Sequence, residues 1–132
     1  MPDVRVLIAS DSPNVNSGYG ILSKDLGLEL NKRGFTVGFI GFQQVGSPCE
    51  YHGLPVYPGA NQFMIDDSID DFKPDILLHI RDPVVHTSFF HQPYEFAKHR
   101  NNVKVLGYLM AMYNYYSSNI IDAIFKNYDL VI

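Results

Sequence analysis

Short, almost unbroken apolar runs recur along this chain with helix-like segments between them, and that alternation constrains the fold more than any other feature. Val4–Ala9 (VRVLIA), Phe35–Phe42 (FTVGFIGF), Asp75–Ile80 (DILLHI) and Val103–Leu109 (VKVLGYL) are each of strand length and mostly apolar. A strand wetted on one side alternates polar and apolar residues, whereas a strand covered on both sides reads as a continuous run, as in parallel sheets packed between helices. Between the first two runs, the polar loop Asn14–Gly20 leads into Ile21–Arg33. There Ile21, Leu22, Leu26, Leu28 and Leu30 make an imperfect helical stripe, stopped by Lys32-Arg33-Gly34. Gln43–Gly59 carries too many Gly and Pro for a helix, and only Leu54–Tyr57 reads as a short edge strand. Asn61–Phe72 sets Phe63, Met64, Ile65, Ile69 and Phe72 near helical spacing, with Asp66, Asp67, Asp70 and Asp71 as its solvated face. Ser88–Arg100 and Ser117–Lys126 read as further helices, the latter leading to a final strand start, Asp129–Ile132.

This rhythm predicts an α/β fold: a Rossmann-like, doubly wound, mostly parallel sheet in a three-layer α/β/α arrangement, with residues 1–132 as a single domain. Ten Lys and Arg face fourteen Asp and Glu with no basic run, so a nucleic-acid partner is not expected. Cys49 is the only cysteine, which rules out an internal disulfide and a cysteine-rich zinc site and suits a reducing, cytoplasmic location. No apolar run approaches the ~18 residues of a bilayer span, so no transmembrane segment is expected. Asp129-Leu130-Val131-Ile132 reads as the start of a buried strand with nothing to cover it. That suggests a piece of a larger protein, or a chain completed by a partner. The same strand could also present an edge for self-association.

Ligands of open parallel sheets lie beyond the carboxyl ends of the strands, which directs attention to the loops after Ala9, Phe42, Ile80 and Leu109. In the first loop, Ser17-Gly18-Tyr19-Gly20 precedes a helix. Glycines there admit a ligand close to the backbone, and unpaired N–H groups favour a phosphate. The alternative is that Ser17 caps the helix while the glycines only turn the chain. Ser23 stands where a dinucleotide fingerprint needs its third glycine, and no Gly-Lys-Ser/Thr follows, so an NAD site and a P-loop are both disfavoured. Arg81-Asp82 and His86 follow the Ile80 strand. Arg81 can hold an anion, Asp82 can accept from sugar hydroxyls and His86 can move a proton, or the three form a solvated surface group. His79, His86 and His91 are poorly spaced for metal ligands, so no metal is expected. Tyr108, Tyr113, Asn114, Tyr115 and Tyr116 suit either sugar stacking or a packing surface.

Taken in order, these segments resemble the N-terminal domain of GT-B glycosyltransferases of the family 4 type. The resemblance is carried by Val6–Ser12, Ser17-Gly18-Tyr19-Gly20-Ile21-Leu22-Ser23, Gly34-Phe35-Thr36-Val37, Lys73-Pro74-Asp75-Ile76-Leu77-Leu78-His79 and Ile121–Ile132. It implies a transferase that moves a sugar from a nucleotide-sugar donor to an acceptor, with retention and without an obligatory metal or other cofactor. This chain would be the acceptor-side half, inactive without a C-terminal donor-binding half. The resemblance implies that Ser17, Gly18, Tyr19 and Gly20 face the donor diphosphate. Asn16, Arg81, Tyr113 and Asn114 are then candidates for acceptor or sugar contact. Met110-Ala111-Met112 stands where the family often carries a His or Asp, so the catalytic role falls to Asp82 or His86 or is lost. A non-catalytic Rossmann-like module that binds a phosphate ligand or assembles with another protein stands as the alternative.

Overall fold

The computed structural model describes residues 3–42, 44–81, 97–99, 102–109 and 129–131. Among them the chain forms β1 (Arg5–Ser10), α1 (Gly18–Lys32), β2 (Thr36–Phe42), β3 (Cys49–Tyr51), β4 (Leu54–Gly59), α2 (Gln62–Phe72), β5 (Ile76–Arg81), a 3-10 turn (Ala97–His99), β6 (Lys104–Leu109) and β7 (Leu130–Val131). The strands make one mixed sheet in the order β3-β4-β2-β1-β5-β6-β7. Every pairing is parallel except β3 with β4. With β3 set aside, the order steps outward from β1 in both directions. The fold is α/β and compatible with a Rossmann-like arrangement.

Successive strand residues point to opposite sides of a sheet, and β1 shows why its run is continuous. Val6 and Ile8 join Val37, Phe39, Leu78 and Ile80, against which Leu22, Leu26, Leu28 and Leu30 of α1 pack. Leu7 and Ala9 join Ile40, Phe42, Leu77 and Val105 together with Ile65, Ile69 and Phe72 of α2. Both sides of β1 are therefore dry. Arg5, the one charge in the run, sits where the strand begins. Its Nε and Nη2 donate to Phe72 O at 3.0 and 2.8 Å, and the guanidinium lies 4.4 Å from the Phe72 ring centre.

Several elements differ from the sequence reading. Helix α1 starts at Gly18, not Ile21, because Ser17 is extended and caps it. Gly18, Tyr19 and Gly20 are thus its first turn, not a loop before it. The buried residues of α1 are Gly20, Ser23 and Gly27, of which Gly27 lies against Phe39 of β2, while Ile21 is exposed. Small residues let the helix axis approach, and the leucines fill the flanks. Strand β4 is longer than expected and lies inside the sheet, because β3 covers its outer side through a tight hairpin at His52 and Gly53, both at positive φ. The register leaves Pro55 opposite Glu50 and puts Pro58 beyond Cys49, the first residue of β3, so neither proline interrupts the short β3 ladder. Ala97–His99 forms a 3-10 turn inside the segment expected to be helical from Ser88 to Arg100. The rest of that segment and the expected helix Ser117–Lys126 lie outside the described residues. No helix among the described residues is long and apolar enough to cross a membrane.

Candidate functional site

The loop from β1 into α1 is tied by hydrogen bonds over short sequence distances. Ser12 accepts twice, from Asn14 N–H on its Oγ (3.2 Å) and from Val15 N–H on its carbonyl (3.0 Å). Ser17 Oγ donates to Asp11 Oδ2 at 2.8 Å and accepts from Gly20 N–H at 3.0 Å. Ser17 O accepts from Ile21 N–H at 2.9 Å, closing the first helical turn. A helix N-terminus carries partial positive charge, and here the Asp11 carboxylate lies beside it. On the other side, Gln44 N–H donates to Gly41 O and Gln44 O accepts from Ala60 N–H, both at 3.1 Å, which binds the segment after β2 to the end of β4. A cleft of about 360 Å³ opens between these loops, lined by Asp11, Ser12, Asn14, Val15, Phe42 and Gln44. Asn14 Nδ2 and Gln44 Nε2 both reach the sulfur of exposed Cys49 at 3.7 Å.

Two buried hydroxyls stand close in the fold to this cleft's first strand. Ser10 ends β1 and Ser23 is a buried residue of α1, and neither Oγ has a hydrogen-bond partner among the described residues. His79 is a core residue, its ring edge-on to Phe42 at 5.4 Å between centroids. Among the described residues no three His, Cys, Asp or Glu side chains gather as metal ligands.

The candidate residues fare differently. Asn16 is exposed in the loop, and Gly18 is exposed with no heavy atom within 4 Å of where a Cβ would stand. Gly20 is buried, and its N–H is committed to Ser17. The expectation of an open amide there is corrected: that glycine serves the loop's closure. Arg81 is the last residue of β5, opposite Leu109, so its backbone stands at the carboxyl end of the sheet. Asp82, His86, Tyr113 and Asn114 lie outside the described residues. Sequence reading overlooked Asp11, Asn14 and Gln44 as cleft-lining residues. Their signal was position alone, since each follows closely on the end of β1 or β2.

A second group of polar side chains lies along α2. Asp66, expected on the solvated face, instead accepts from or pairs with the His99 Nε2 at 2.8 Å, with Lys98 Nζ at 3.6 Å from its other oxygen. Burial alone would raise its pKa, but the hydrogen bonds from His99 and Gln62 and the charge of Lys98 outweigh that and lower it below 3.8. Tyr57 donates to Asp71 Oδ2 at 2.7 Å. Burial, then that carboxylate, push its phenol from 10.0 up to about 12. The folded protein therefore holds this proton more tightly than the unfolded chain. The stabilisation is complete below pH 10.0 and disappears as the pH rises from there to about 12. Tyr57→Phe is expected to flatten the alkaline fall in stability over that interval, measured as urea midpoints at about pH 9 and about pH 11.5. An equally steep fall in the variant would assign the effect to other groups.

A scan against protein-family models finds no match for this chain, and a search of curated proteins finds none either.

Proposed function

We propose that the chain is the acceptor-side domain, doubly wound in three layers, of a family 4-like GT-B glycosyltransferase. It works with a donor-binding half supplied by another domain or subunit, in the cytoplasm, on a nucleotide-sugar and without a required metal. The observation that carries this reading is the cleft at the carboxyl ends of β1 and β2, whose β1 loop runs directly into the first turn of α1. The order of the sequence segments that resemble the family adds to it. Exposed Gly18 and Asn16 are the backbone and side-chain groups offered to the donor diphosphate and sugar, and Ser17 orients them through its cap. Oriented donors stabilise charge developing on a leaving diphosphate because they need no reorganisation when the bond breaks. Asp82 or His86 fills the catalytic acid–base role in this reading, with Arg81, Tyr113 and Asn114 as contacts to the acceptor or sugar.

Calorimetric titration of UDP- and GDP-sugars into the natural polypeptide carrying both halves tests the proposal. Saturable binding is expected, weakened about tenfold (~1.4 kcal/mol) by Gly18→Val. The absence of heat from any nucleotide-sugar would overturn it.

One observation favours a different reading. The Gly20 amide is already bonded, and the Asp11 carboxylate sits at the turn where a phosphate would arrive. A non-catalytic assembly module, with a purely structural cap, needs no anion there. It predicts that Asp11→Asn leaves every ligand affinity unchanged, whereas the transferase reading expects the variant to bind the donor more tightly.

A further inference from the structure

A groove of about 540 Å³ lies beside α2, and its lining shares no residue with the cleft lined by Asp11 and Asn14. One part of its lining is apolar: Pro48, Pro58, Phe63 and Met64. Another is acidic: Asp67, Asp70 and Asp71. Phe63 is 77% exposed although α2 has a well-filled buried face in Ile65, Ile69 and Phe72, so its ring is not used by the core. Val45, next in sequence to the groove residue Gly46, is 69% exposed. Isolated surface hydrophobes are ordinary, but an uncovered phenylalanine set in a concave, partly apolar groove is the mark of a contact surface.

Charge selects the occupant. Asp71 is engaged by Tyr57, whereas Asp67 and Asp70 are exposed, Asp70 Oδ1 lying 4.0 Å from His99 Nδ1. Among the described residues no Lys or Arg lines the groove. The three carboxylates of the lining favour a cationic group over an anionic one. Helical rise places Phe63 and Asp70 about 10 Å apart along α2. In an extended peptide, side chains at i and i+2 share a face about 7 Å apart, and the length of a Lys or Arg side chain spans the remainder.

We infer that this groove docks an extended polypeptide segment with a large apolar side chain on Phe63 and Met64 and a Lys or Arg two residues along, against Asp67 and Asp70. The inference is independent of the glycosyltransferase reading, since it concerns another surface and a ligand without a nucleotide.

The probe is a short fluorescein-labelled peptide of repeating Leu-Thr-Arg-Thr, followed by fluorescence polarisation, with analogues carrying Gln or Glu in place of Arg. Saturable binding of the Arg peptide is expected, weaker for Gln, absent for Glu, and reduced by added salt. Phe63→Ser and the pair Asp67→Asn with Asp70→Asn are each expected to weaken it at least about tenfold. These side chains are exposed, so unchanged circular dichroism and melting temperature are expected in both variants, and either one suffices if the other misfolds. Equal binding of the Glu peptide, no saturable binding, or an affinity indifferent to both variants overturns the proposal. So does concentration-dependent dimerisation abolished by Phe63→Ser, which would make a second copy of the chain the occupant.

Discussion

Gly20→Ala is expected to destabilise the protein by about 3 kcal/mol or more, whereas Gly18→Ala, two residues away in the same turn, is expected to change stability by less than about 0.5 kcal/mol. The contrast does not come from backbone dihedrals, since neither glycine has positive φ. It comes from what a methyl group would meet. At Gly20 it would collide with Val15 O and lie 2.9 Å from Ser12 O, backbone atoms of two residues tied together by the Val15 N–H to Ser12 O hydrogen bond. They cannot move aside without undoing the turn that sets Ser17 as the cap. At Gly18 there is open space. Because total stability is about 5–15 kcal/mol, the Gly20 variant should show a much lower urea midpoint with an unchanged slope. A Gly20→Ala protein as stable as the parent would mean that the loop between β1 and α1 is not closed as described. Gly20 is thus a poor position for testing ligand binding, and Gly18 a good one.

The second large effect is centred on Phe39, a fully buried side chain. Its ring packs edge-on to Tyr51 at 6.5 Å between centroids and lies over Gly27 of α1. Phe39→Ala is expected to cost about 3–5 kcal/mol, from lost burial and from the cavity left between helix and sheet. Gly27→Ala attacks the same contact from the other side. A Cβ there would collide with Phe39 Cζ and lie 2.6 Å from Cε1. Alanine gains about 1 kcal/mol of helix propensity over glycine, and the overpacking costs about 1–3 kcal/mol, so a net loss is expected. Combining Gly27→Ala with Phe39→Leu should cost less than the sum of the two single changes, because the smaller side chain makes room for the methyl. Additive losses in thermal or urea unfolding would show that the two residues do not share one contact.

Both cases bear on how α1 is placed. Leu22, Leu26, Leu28 and Leu30 announce a helix with an apolar side, yet its buried residues are Gly20, Ser23 and Gly27, the last lying against Phe39. Glycine and serine carry no hydrophobic signal. Their contribution is the absence of volume, which acquires meaning only when the opposing residue, here Phe39, is known. The same is true of α2. Spacing places Phe63 in the apolar stripe with Ile65 and Ile69, but at the start of the helix it points away from the core, and the groove beside it follows from that. Asp66 gives the converse: one of four similar carboxylates, it is drawn inward because His99, thirty-three positions away, is buried against it.

The sequence by itself determined the α/β class, the central strands and the location of candidate loops. Continuous apolar runs have one economical solution, burial on both sides, and that requirement is local to each run. The tertiary structure decided the β3–β4 hairpin inside a stretch rich in Gly and Pro, the start of α1 at Gly18, the division of labour between Gly18 and Gly20, and the exposure of Phe63. Each of these depends on which atoms from distant parts of the chain arrive within a few ångströms, and no periodicity or propensity encodes that distance.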